Sequence, residues 1–188
     1  AESDVYKRQF YWCMKGNSTN LDLHNIFFAS DYKKEFESIF EKKELYDDPT
    51  IYVNITSKDV KSDAPKGCEN WFVMVNAPHN TNQNWKSDIK VLKKNIINKL
   101  EKILKVSIDD KLIDEKIYSP VDLDKNTNSH LGSLYGTSSN DMFSSFLRHP
   151  NFSRKIKNVF FCGGSVHPGG GIPLCILSSK IISDLIEN

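Results

Sequence analysis

The sequence has no excess of charge of either sign: 25 basic residues stand against 24 acidic ones. That balance leaves no field to recruit nucleic acid or an anionic surface by charge alone. No apolar run approaches the roughly 18 residues of a membrane-spanning helix, so any membrane contact is expected to be peripheral. No signal peptide is read at the start of the chain. The four cysteines, at 13, 68, 162 and 175, form no C-x-x-C pair and no zinc spacing. No metal site is expected, and buried reduced thiols in a reducing compartment are. No Gly-Lys-Ser/Thr follows a glycine run, which excludes a P-loop, and the dinucleotide fingerprint G-x-G-x-x-G occurs nowhere. Internal repeats and low-complexity stretches are missing too. Glycine is scarce, nine in 188 residues, yet five of the nine fall between 163 and 171.

The chain is long enough for one sizeable domain and short for two. Its opening, "AESDVYKRQ" (1–9), is polar and aperiodic, and it reads as a leader foreign to the rest of the chain. "FYWCM" (10–14), "HNIFF" (24–28) and "TIYVNIT" (50–56) read as strands. "WFVMVN" (71–76) reads as a central strand able to pair with 50–56. Asp31 is placed to cap a helix over about 31–45, with Phe36, Ile39 and Phe40 on one face. The clearest helix runs over about 85–105, its stripe made of Ile89, Leu92, Ile96, Leu100 and Ile103 and its lysines facing solvent. A weaker strand covers 111–120. The Ser-, Asn- and Gly-rich stretch after it is too long for an idle connection. The end reads as strand "NVFFCGG", loop "SVHPGGG" and helix "IPLCILSSKIISDLIEN".

A strand that feeds a glycine turn and then a helix is built to hold an anionic or dipolar ligand. Glycine has no Cβ, so backbone can come close and adopt positive φ. The first N–H groups of the helix are unpaired, and its dipole adds about half a positive charge there. Pro173 stands at the first helical position, where the missing N–H costs nothing. The helix beyond is apolar nearly all round, which predicts burial. A purely structural reading, in which Gly169–Gly171 form only a tight connection, stays open at this level.

"NVFFCGGSVHPGGGIPLCILSSKIISDLI" resembles the C-terminal signature of the phytoene desaturase family of FAD-dependent carotenoid desaturases, in which His-Pro-Gly-x-Gly-x-Pro precedes a buried last helix. "LHNIFFASDYKKEF", "DDPTIYVNITSKDVKSDAPKGCENWFVMVNAP" and the stretch from "GSLYGTSSN" to "FLRHPNFSRKIKNVFFCGG" resemble it as well, nearest to the bacterial carotenoid 3,4-desaturases. The likeness covers about residues 10–188. Members of the family are longer and carry their FAD fingerprint at the N-terminus, which has no counterpart in these residues.

The resemblance implies a mixed α/β chain: the C-terminal part of a two-domain FAD-binding oxidoreductase. Residues 10–135 would supply part of the substrate domain, 136–157 a connection, and 158–188 the last strand, glycine loop and helix of the flavin domain. FAD would be approached by Gly163, Gly164 and Ser165, by the turn His167, Pro168, Gly169, Gly170 and Gly171, and by the helix start Ile172 and Pro173. Where related flavoproteins place an acidic residue on a ribityl hydroxyl, this chain has Gly164 and Ser165. The implied reaction takes two hydrogens from a long polyene, with hydride passing to flavin. The implied setting is cytoplasmic and peripheral, at the inner face of a membrane that holds the carotenoid.

Phe10–Trp12, Phe27–Phe28 and Trp71–Phe72 could line an apolar tunnel or simply fill a core. No catalytic residue is assigned. His167 could be an acid or base, or could merely position backbone. Arg148 could hold a phosphate or a substrate's polar end, or form a surface ion pair. Two other readings stay open: another flavin oxidoreductase of this fold, such as an amine oxidase or a retinol saturase, and an inactive piece that binds no cofactor.

Overall fold

The computed structural model describes residues 6–18, 20–78, 84–128 and 148–187. Among them are five strands in one antiparallel sheet: β1 (Tyr6–Lys15), β2 (His24–Phe27), β3 (Ile51–Asn54), β4 (Cys68–Ala77) and β5 (Leu112–Tyr118), in the order β2-β3-β4-β1-β5. The helices are α1 (Tyr32–Phe36), continued by a π-helical turn (Glu37–Lys42), α2 (Trp85–Leu104), α3 (Pro120–Thr127) and α4 (Ile172–Glu187).

β1 and β4 pair over ten residues, from Tyr6↔Ala77 to Lys15↔Cys68, and their side chains alternate between two faces. One face carries Phe10, Trp12, Met14, Trp71, Val73 and Val75, joined by Ile51 and Val53 of β3, all buried. Helix α2 closes over that face with Leu92, Ile96, Ile97 and Leu100. The stripe read from the sequence is shifted at its end, because Ile103 is 50% exposed and Leu104 packs in its place. Lys105, left-handed at φ 57°, stops the helix. Two α2 lysines are tied down instead of free in solvent: Lys93 to Glu115 at 2.7 Å, and Lys99 to Asp48 at 2.6 Å.

The other face of the sheet carries Tyr11, Phe72, Tyr52 and Tyr118. Ring centroids stand 5.2 Å apart for Tyr11–Phe72, 5.8 Å for Tyr11–Tyr118 and 6.4 Å for Tyr52–Phe72, all tilted or edge-on. The aromatic runs quoted as one unit in the sequence are therefore split by the pleat between core and open face.

Asp31 caps α1 by accepting from the Lys34 N–H, as expected. Glu35, fully buried, accepts from the Thr50 N–H at 2.9 Å and from the Thr50 hydroxyl at 2.6 Å, fastening α1 to the start of β3.

The expectation that residues 1–9 stand outside the fold is corrected for Tyr6–Gln9, which extend β1. A strand ladder uses only backbone groups, so it takes these residues up whatever their side chains. Arg8 shows the misfit. It is fully buried and stacks on Trp85 at 4.4 Å, yet among the described residues Nε and both Nη atoms have no hydrogen-bond partner. Burial pushes its pKa down to about 10, against the opposing pull of Asp122 and Asp88. All four cysteines are free thiols, and none is fully buried; Cys162 is exposed, which corrects the buried reading.

Candidate cofactor-binding turn

The expected strand over 158–164 does not form. A single antiparallel bridge joins Phe160 to Phe152, and a parallel bridge joins Val166 to His149. A strand needs neighbours, and within the described residues this segment has only the short stretch 149–152 beside it. Backbone bonds complete the arrangement: the Phe161 N–H donates to Asn151 O at 2.8 Å, Ser153 N–H to Val159 O at 2.8 Å, and His167 N–H to His149 O at 2.9 Å.

Of the ten residues singled out from the sequence, Gly163 to Ser165 and His167 to Gly171 form, with Val166, one continuous turn, and Ile172 and Pro173 open α4. Three of its glycines hold φ values that other residues rarely adopt: Gly163 at 119°, Gly169 at 137° and Gly171 at 102°. At Gly163 and Gly171 the space a Cβ would take is empty to 4 Å, so bare backbone faces outward. At Gly164 a Cβ would stand 3.3 Å from Gly170 Cα and 3.6 Å from Cys175 Sγ, so the turn folds tightly onto itself there. The His167–Pro168 peptide is cis. The first bond of α4 runs from the Cys175 N–H to Gly171 O at 2.9 Å. The N–H groups of Ile172 and Leu174 precede it in the chain, and Pro173 contributes none. Bare glycine backbone and a free helix start suit the phosphate and carbonyl oxygens of a flavin nucleotide, so the residues present fit FAD.

Both backbone groups of His167 are engaged, its N–H by His149 and its carbonyl by Asn151. Its side chain is exposed. Arg148 lies against Gly169, with Nε 3.0 Å from where a Cβ would be. An open cleft of about 1060 Å³ is lined by Arg148, His149, Phe161, His167, Ile181 and Leu185.

Helix α4 departs from its expected burial. Ser178 is its only buried residue, while Ile172, Ile176 and Ile186 are 78%, 65% and 63% exposed. A helix that is apolar nearly all round needs cover on several sides, and the described residues supply it on one. Asn151 and Ser178, both buried, were not among the site residues read from the sequence. The available signal was Ser178, a polar residue within an apolar helix, facing the turn.

No protein-family model matches the chain. It is 54% identical, over 95% of its length, to the 1-hydroxycarotenoid 3,4-desaturase of Flavobacterium sp. (strain P99-3), of which it covers 37%. It is 35% identical, over 87% of its length, to the 4,4'-diaponeurosporene oxygenase of Staphylococcus aureus (strain MSSA476), of which it covers 33%. The protein of the same name from strain USA300 is 34% identical over the same share of the chain. The chain thus spans about a third of the length of the curated relatives it matches. Alike over nearly its whole extent to enzymes named for carotenoids, the chain belongs to the carotenoid desaturase family.

Proposed function

We propose that the chain is the C-terminal part of an FAD-dependent carotenoid desaturase, with residues 10–135 in the substrate domain, 136–157 connecting, and 158–188 in the flavin domain. The observation that carries this reading is the turn Gly163–Pro173. Its glycine conformations leave bare backbone at the foot of a helix whose apolar sides are uncovered. An exposed surface of that kind is what a helix shows when the rest of its domain is supplied by other sequence.

FAD would accept hydride from the substrate when bound. The residues of this chain would do the holding. Gly163, Gly164 and Ser165 would approach the pyrophosphate and ribityl chain. His167, Pro168, Gly169 and Gly170 would form the floor of the turn. Gly171, Ile172 and Pro173 would aim the positive end of α4 at the flavin, favouring its reduced, more negative form.

The substrate would be a long polyene lying against the open face of the sheet. Tyr11, Phe72, Tyr52 and Tyr118, whose rings cluster on that face, would be the aromatic residues to meet it. Phe10, Trp12 and Trp71 are committed to the core beneath α2. Contact with the membrane would be peripheral: among the described residues no helix is long and apolar enough to cross one.

The test is spectroscopic. Purified full-length protein is expected to be yellow and, given an acyclic carotenoid, to shift its absorption to longer wavelength. A colourless protein that leaves the polyene spectrum unchanged would exclude the assignment. The relatives named oxygenases favour a second reading, in which a carotenoid gains oxygen. Product mass separates the two: loss of two hydrogens against gain of an oxygen atom.

A further inference from the structure

The five glycines of the turn have no side chains to fix its shape, so groups outside it must help. Asn151 does this. Its side chain is 4% exposed, and Nδ2 lies 2.8 Å from His167 O, 3.1 Å from Phe161 O and 2.8 Å from Ser178 Oγ. Three acceptors share two amide protons, a full complement for this group. Ser178 is fully buried two turns into α4, and its Oγ also accepts from the Gly163 N–H at 3.2 Å. One amide and one hydroxyl therefore join the segment before the turn, both flanks of Gly163–His167, and the helix behind it.

We propose that Asn151 and Ser178 are positioning residues that set the gap between the glycine turn and the start of α4, and through it the affinity and redox balance of bound flavin. The inference rests on the flavin reading given above. A turn of glycines loses much backbone entropy when it is ordered, so ordering it before the ligand arrives improves binding. The partners of Asn151 also dictate its chemistry. Two of them are backbone carbonyls, which only accept, so the residue must donate. Aspartate has the same shape but would set a carboxylate against those carbonyls.

The test uses the full-length protein with N151D, N151S and S178A. Three quantities are read: melting temperature, FAD affinity of the stripped protein by fluorescence titration, and midpoint potential of the bound flavin. N151D is expected to weaken FAD at least tenfold, and S178A less but in the same direction. A tenfold change in the relative affinity for oxidised and reduced flavin appears as about 30 mV for a two-electron couple. N151S, which keeps a donor, is expected to fall between N151D and wild type. A merely structural role would lower melting temperature and leave the potential of correctly loaded protein unmoved, and that result overturns the proposal. Should N151D not fold, N151S and S178A decide the matter by the same readings. Wild-type protein that takes up no flavin overturns the flavin reading and this one together. Variants at wild-type affinity and potential, in a protein that does bind flavin, overturn this one alone.

Discussion

Arg148 and Gly169 are in contact: any other residue at 169 would place its Cβ 3.0 Å from Arg148 Nε and 3.1 Å from Cζ. The backbone at Gly169 adds a second constraint, a φ of 137°. Gly169→Ala is therefore expected to cost about 1–3 kcal/mol, as strained backbone does. Chemical denaturation of Gly169→Ala with and without Arg148→Ala separates the two causes. The double variant should recover the crowding and not the strain; full recovery would mean that the backbone is comfortable there.

Core packing gives a sharper contrast. Ile96 and Leu100 are fully buried under the sheet, whereas Ile103, a member of the same sequence stripe, is half exposed. Ile96→Ala and Leu100→Ala are each expected to lose about 2–5 kcal/mol. Ile103→Ala should stay within about 0.5 kcal/mol of the parent, as surface changes do. Equal losses at 100 and 103 would contradict the observed face of α2.

Arg8 invites the opposite change. Its guanidinium is buried with no hydrogen-bond partner among the described residues. Arg8→Met, similar in length and apolar, is expected to stabilise the chain by about 1–3 kcal/mol, the usual cost of a buried donor left unpaired. A destabilised Arg8→Met would show that stacking on Trp85 outweighs the burial of charge.

Acid should act through Asp48. Burial raises its pKa, but hydrogen bonds from Lys99 and Ser30 outweigh that and hold it at about 2, below the ordinary 3.8. A carboxylate depressed in the folded state adds stability at pH values above its unfolded pKa. That contribution fades as pH falls from about 4 toward 2. Asp48→Asn should remove this part of the acid sensitivity while lowering stability at neutral pH. An unchanged acid profile would show that Asp48 does not matter.

Much of the sheet was legible in the sequence because strand alternation and the stripe of α2 record burial directly. Ile51 and Val53, or Leu92 and Ile96, announce their face by spacing alone. The turn was legible for a different reason: Gly169–Gly171 has no use in a packed element. What escaped were contacts between distant residues. Asn151 meets Ser178 across 27 positions, and no local pattern encodes that meeting. Helix α4 and the segment 158–164 were misread in a related way. Their apolar character states that they will be covered, but not that the cover lies within these residues. Tyr6–Gln9 erred in the other direction, since backbone pairing draws in residues whose composition argues against a strand.

The strand order also governs how this chain reaches its fold. β1 comes first in sequence but lies between β4 and β5, so neither of its ladders can close until more than fifty residues have followed it. Contacts that distant are slow to form, and until they do Phe10 and Trp12 remain open to wrong partners. The sheet thus stays half-built while the residues between β1 and β5 are being made, and holding chaperones should improve the yield of soluble protein more than lower temperature does.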